Sequence, residues 1–111
     1  MGLDTDFGCW NGGYIAFHWW RTEVAKCIGI KLESMQGFTD NGEEWPGIDP
    51  LEKLLNRSDC DGKIKWKDCL PIARRLQAIS PNMPPNLKPR TNSFISGLIS
   101  AHISKKSVGF H

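Results

Sequence analysis

The stretch Tyr14-Ile15-Ala16-Phe17-His18-Trp19-Trp20-Arg21-Thr22-Glu23-Val24-Ala25-Lys26-Cys27-Ile28-Gly29 decides how this chain folds. Its apolar side chains return every three or four residues, the spacing that stacks them along one face of an α-helix: Tyr14, Phe17, the stem of Arg21, Val24, Ala25 and Ile28. Gly29 supplies a stop, and Asn11-Gly12-Gly13 reads as a turn just ahead of the helix. Phe17-His18-Trp19-Trp20 is the densest aromatic run in the chain. His18 and Trp19 fall outside the apolar stripe, so they are expected on the outer face, where a Trp beside a His suits a partner surface.

Toward the N-terminus, Leu3, Thr5 and Phe7 alternate with Asp4 and Asp6, which predicts a short strand. In the other direction, residues 31–49 lack periodicity and read as a surface loop with one short turn near Leu32 to Met35. Asp49 caps a helix whose first residue is Pro50 and whose apolar side holds Leu51, Leu54 and Leu55. The loop from Arg57 to Gly62 leads into Lys63-Ile64-Lys65, a candidate single-bridge strand, and then into a helix from about Trp66 to Ile79. Pro71 predicts a kink in that helix or a short turn before it. The four prolines between Ser80 and Arg90 predict an extended connector. A last helix, capped at Thr91, shows Phe94, Ile95, Leu98, Ile99 and Ile103 on one face. The tail from Ser107 to His111 is expected to pair with residues 2–7. The fold class is therefore mainly α: four short helices and a minor two- or three-stranded sheet made by the chain ends, in a single domain over residues 1–111.

A chain of 111 residues, 40% of them hydrophobic, has material for one core and not for two. No apolar run approaches the roughly 18 residues of a membrane span, and no basic-then-apolar leader opens the sequence, so no membrane role is expected. Cys9, Cys27, Cys60 and Cys69 form no C-x-x-C pair, which predicts reduced thiols and no zinc site. Charge is split along the chain. Residues 1–62 carry five Lys or Arg against eleven Asp or Glu, whereas residues 63–111 carry nine against one. The basic set is Lys63, Lys65, Lys67, Arg74, Arg75, Lys88, Arg90, Lys105 and Lys106. It suits phosphate, duplex DNA or an acidic protein, unless the acidic half neutralises it on folding.

Two constellations suggest chemistry. Leu54 to Ile64, with the helix that follows, resembles an EF-hand: placing Gly62 at loop position six puts Asp59 and Asp61 at three and five and Asp68 at twelve. Arg57 falls where that motif needs its first carboxylate, so the loop reads as a metal-free brace of Asp59, Cys60, Asp61 and Gly62, closed by the guanidinium. The second is Trp10, Tyr14 and Arg21 around the Gly-rich turn, which could stack a base and reach a phosphate, or simply pack as core. No catalytic set is assembled, since His18, His102 and His111 lack the context of a Ser or Cys nucleophile. Asp59 and Asp61 with His111 are the residues available to a metal-dependent phosphoesterase.

Several elements recur together: Gly2-Leu3-Asp4, then Trp10, Gly12, Tyr14, Phe17, Trp20 and Arg21 at their present spacing, then Pro50-Leu51 with Leu54-Leu55. They continue with Ser58-Asp59-Cys60-Asp61-Gly62, Asp68-Cys69, Phe94-Ile95 with Gly97-Leu98, and Phe110-His111. In this the chain resembles a family of small uncharacterised proteins of bacterial genomes, phages and prophages, over nearly its whole length. The resemblance brings no activity with it. Those relatives usually have His where this chain has Arg57, a change that an anion-binding role tolerates better than proton transfer or metal ligation does. The expectation is a non-catalytic binding protein in the cytoplasm of a bacterial host, without cofactor. It would act against a host defence complex, protein or protein–nucleic acid, as an anti-CRISPR-like inhibitor through Trp10, Tyr14, His18, Trp19, Arg21, Arg57, Arg74 and Arg75. A nucleotide-sequestering sponge and the Asp59/Asp61 phosphoesterase are the alternatives.

Overall fold

The computed structural model describes residues 2–56 and 62–110. The chain opens as a hairpin in which β1 (Gly2–Asp4) pairs antiparallel with β2 (Asn11–Gly13), Leu3 opposite Gly12. Thr5 closes it: its backbone N–H and its hydroxyl both donate to the Trp10 carbonyl, and the Trp10 N–H donates back to the Thr5 hydroxyl at 2.7 Å. A 3-10 turn over Asp6–Gly8 reverses the chain, with Phe7 and Gly8 both in the left-handed region at φ 61° and 68°. Asn11-Gly12-Gly13 is thus a strand and not a turn; the reversal sits earlier, over Asp6–Gly8, where Phe7 and Gly8 take positive φ.

Helix α1 (Tyr14–Cys27) follows without a break. Phe17, Trp20, Arg21, Val24 and Ala25 are its buried residues, so the expected stripe holds with Trp20 added to it. A 3-10 turn at Leu32–Ser34 fills the place expected of a short turn, inside an otherwise irregular segment. Helix α2 (Glu52–Leu55) is a single turn. It begins two residues after Pro50, behind Leu51 and without a side-chain cap; Asp49 closes the turn ahead of it, accepting from the Leu51 N–H at 2.9 Å, and Glu52 reaches back to accept from the N–H groups of Gly47, Ile48 and Asp49.

β3 (Lys63–Ile64) precedes α3 (Trp66–Ile79), which runs unbroken through Pro71. Pro71 lies on the exposed side of the helix, away from the core packing. Two 3-10 turns, Ser80–Asn82 and Pro85–Leu87, replace the expected extended connector. Helix α4 (Lys88–Ser104) begins three residues before Thr91, because Pro89 is tolerated in a first turn and there pre-sets the helical φ. Thr91 is not a cap but a buried residue. On α4, Phe94, Ile95 and Leu98 face inward as expected, whereas Ile103 is 74% exposed and Ala101 takes the inner position of the last turn.

β4 (Val108–Gly109) pairs antiparallel with β3, Ile64 opposite Val108, and the tail meets the N-terminal segment through a Thr5–Phe110 bridge and a hydrogen bond from the Gly109 N–H to the Asp6 carboxylate at 2.9 Å. The chain ends therefore do meet, but the result is two separate two-stranded sheets. This pairing brings the start of α3 next to the end of α4, so the two helices pack antiparallel. One aromatic cluster joins the elements: Trp10 on Phe17 at 5.1 Å, Trp20 on Phe94 at 4.7 Å, and Phe17 on Phe110 at 5.9 Å between ring centroids. The core runs from Leu3 to Phe110, and the radius of gyration of 13.0 Å matches the roughly 13 Å of one compact domain of this length.

Candidate functional site

The turn of α1 that carries its aromatic run inward also drives two apolar side chains out. With Phe17, Trp20 and Arg21 facing the core, Ile15 and Trp19 stand one turn apart on the opposite side, 77% and 69% exposed. Beside Trp19 a groove of about 320 Å³ lies between α1 (His18, Thr22, Glu23, Lys26) and Glu33 of the neighbouring 3-10 turn. It continues into a second hollow of about 480 Å³, floored by Ile30 and Leu32. Its rim carries both signs of charge. His18 Nε2 stands 3.7 Å from the Glu33 carboxylate and Lys26 Nζ 3.1 Å from that of Glu23. The His18 ring leans on Phe38 at 6.3 Å, and its carbonyl accepts from the Thr22 hydroxyl, so its position is held from both sides. An apolar anchor flanked by paired charges is a composition suited to a protein partner.

The other expected binding residues are placed differently. Trp10 and Arg21 are each 2% exposed and belong to the interior, and Tyr14 is packed against the core. The Arg90 guanidinium covers Trp10 at 4.5 Å and donates to the Asn11 carbonyl at 2.7 Å. Arg21 lies over the Phe17 ring at 4.8 Å and the Phe38 ring at 5.7 Å, and donates to the Leu55 carbonyl. Trp10, Tyr14 and Arg21 thus form no open cleft for a base. Arg75 pairs with Asp49 at 3.0 Å, which ties the α2 cap to α3, while Arg74 is exposed.

Arg57, Asp59, Cys60 and Asp61, the heart of the expected EF-hand-like brace, lie outside the described residues, as does His111. Gly62, at its edge, has φ 88°, the left-handed value that the sharp turn demands of a glycine, and its carbonyl accepts from the Phe110 N–H. The expected flanking elements are unequal, α2 having four residues and α3 fourteen. Asp68, expected at loop position twelve, is held instead by Lys53 at 2.8 Å. Among the described residues no group of three His, Cys, Asp or Glu side chains is placed to hold a metal ion.

The thiols are quiet. Burial, with Cys69 and Asp6 nearby, pushes the Cys9 thiol up to about 12, and burial together with Asp68 pushes Cys69 up to about 11. Burial also raises Cys27, with Glu23 adding to it. No helix among the described residues is long and apolar enough to cross a membrane.

Sequence reasoning passed over three structural features. Ile15 joins Trp19 on the outer face, a pairing legible in the spacing of four. Glu52 clamps three backbone N–H groups, which the interval from Asp49 to Glu52 signals as a reciprocal cap. Trp66 meets the His102 ring at 6.0 Å, and nothing in the sequence brings those two together. Set against protein-family models, curated proteins and solved structures, the chain matches none of them.

Proposed function

We propose that this chain is a non-catalytic binding protein that acts by occupying a protein partner through the outer face of α1. The observation that carries the reading is the exposure of Trp19 next to Ile15, at the mouth of the groove walled by His18, Thr22, Lys26 and Glu33. An indole left in water contributes little to the fold, whereas its full burial in a partner's pocket removes a large apolar area from solvent. The resemblance to phage and prophage proteins supplies the setting: a host defence complex is the partner class, and blockade of that complex the mode of action. The nucleotide sponge finds no support in the placement of Trp10 and Arg21, both of which are committed to the core.

The test is affinity capture from bacterial lysate with the wild-type chain and with Trp19→Ala and Ile15→Ser variants, quantified by mass spectrometry. A stoichiometric protein that the wild type retains and both variants lose by at least about tenfold, on the scale of a hot-spot truncation, is the expected result. Capture indifferent to both substitutions would sink the reading, and so would a wild-type chain that carries a bound small molecule and no protein.

A further inference from the structure

The β3–β4 pairing and the antiparallel packing of α3 on α4 have a consequence at the far end of the bundle. Lys65 and Lys67, at the start of α3, are brought beside Lys105 and Lys106, at the end of α4. All four are exposed, and none pairs with a carboxylate among the described residues. Asp68, the single acidic residue between Lys63 and His111, is taken up by Lys53. In their midst lies Trp66, half-buried, with the Lys67 ammonium 5.8 Å from its ring and His102 against it at 6.0 Å. The His102 Nδ1 atom is buried without a hydrogen-bond partner. Lys65 and Lys67 also stand at the positive end of the α3 macrodipole, where a cation is disfavoured, so helix stability does not account for them.

We propose that this end, Lys65, Lys67, Lys105 and Lys106 around Trp66, binds the phosphodiester backbone of nucleic acid. Like charges gathered without a paired carboxylate among the described residues give a local positive potential, and that potential attracts an anion whose charges are themselves repeated. The half-buried aromatic ring gives a nucleotide a flat surface that an acidic polypeptide has no particular use for. The site is separate from the outer face of α1 and stands or falls without it.

The test is fluorescence anisotropy of labelled single-stranded and duplex 20-mer DNA, with poly-glutamate of similar charge as competitor. Neutralising three or four phosphates gives a log–log salt slope of about −3, so affinity should fall about 60-fold between 50 and 200 mM salt. A Lys65→Ala/Lys105→Ala/Lys106→Ala variant should lose at least about tenfold, and a Lys31→Ala variant should bind as the wild type does. The two DNA forms report which source of phosphodiester is preferred, and binding of either with that slope supports the site. Should the alanine variant fold poorly, the corresponding glutamine variant replaces it, and the wild-type salt slope needs no variant at all. Absence of binding to both forms at low salt overturns the proposal. A slope shallower than about −1.5 overturns it too, as does binding indifferent to the three lysines. Poly-glutamate displacing DNA at equal charge concentration also overturns it, and assigns the surface to an acidic protein.

Discussion

Thr91 offers the most direct check on how the interior is assembled. Its hydroxyl accepts from Trp20 Nε1 at 2.9 Å and donates to the Leu87 carbonyl at 2.9 Å, and both Trp20 and Thr91 are fully buried. Replacing Thr91 by Val keeps the shape and removes the acceptor, so the indole N–H is left in the core with nothing to donate to. An orphaned buried donor costs about 1–3 kcal/mol, and the extra methyl recovers only a few tenths, so a net loss of about 2 kcal/mol is expected. For a domain of this size that lowers the thermal midpoint by about 8 °C. The decisive measurement is a double-mutant cycle by urea unfolding. In a Trp20→Phe background there is no N–H to orphan, and the same Thr91→Val change should cost less than about 0.5 kcal/mol, a coupling of about 1.5 kcal/mol. If Thr91→Val costs the same in both backgrounds, the hydrogen bond between α1 and α4 does not contribute as described, and the packing of α4 on α1 must be held by ring contacts alone.

Three further outcomes follow from single sites. Gly97→Ala should destabilise the protein despite Ala's better helix propensity, worth about 1 kcal/mol, because an added Cβ collides with Cys9 Sγ and comes within 3.0 Å of the Cys9 backbone. A thermal midpoint at or above that of the wild type would contradict the close approach. For Glu52, burial works against the charge, but the three backbone N–H donors outweigh it and leave the carboxyl below its ordinary value of 4.5. A lowered folded pKa means stability that is present above the ordinary carboxylate range and lost as pH falls through the folded value. Glu52→Gln should therefore cost about 1 kcal/mol near pH 7, and the gap to wild type should shrink as pH falls below the ordinary carboxylate range in urea titrations; a gap constant with pH would refute this. In the native protein at mildly alkaline pH, iodoacetamide should leave Cys9 and Cys69 unmodified and label Cys27 faster than either, as read by peptide mass spectrometry.

What the sequence made legible follows from how local the deciding force is. The α1 stripe and the inner face of α4 up to Leu98 are set by residues three and four apart, so periodicity finds them. The start of α4 is not a local matter. Thr91 has the look of a cap, but Trp20, 71 residues away, needs an acceptor where it stands, and Pro89 lets the helix begin earlier. Ile103, five residues after Leu98, falls about 140° around the helix from it, so its own phase turns it outward, and Ala101 takes the inner place. The Trp10–Tyr14–Arg21 pocket fails for a similar reason: Arg90 from α4 folds over Trp10, and Phe38 from the irregular segment flanks Arg21. Aromatics and an arginine at helical spacing look alike whether they line a cleft or a core, and only tertiary partners separate the two. The outward direction of His18 and Trp19 was legible because helical phase alone settles it.

The uneven charge of the two halves could have served only to hold them together, and the ion pairs among the described residues bear on that. Arg75–Asp49 joins the halves in the sense that neutralisation requires, but Lys53–Asp68 joins them in the reverse sense, spending the basic half's lone acid on a lysine from the acidic half. His18–Glu33 and Lys26–Glu23 stay within the first half. Lys65, Lys67, Lys105 and Lys106 are thus left without a carboxylate partner among the described residues at one end of the molecule, where charges closer than a screening length of about 10 Å at 0.1 M salt repel one another. The same four side chains then respond to salt in opposite ways. Screening relieves their mutual repulsion, so raising sodium chloride from about 20 to 200 mM should lift the thermal midpoint of the wild type by more than that of a Lys65→Gln/Lys67→Gln variant, while weakening the attraction of any polyanion. If the two proteins instead show equal midpoint gains, the lysines are too far apart to sense one another, and a continuous phosphate backbone would have no concentrated potential to follow.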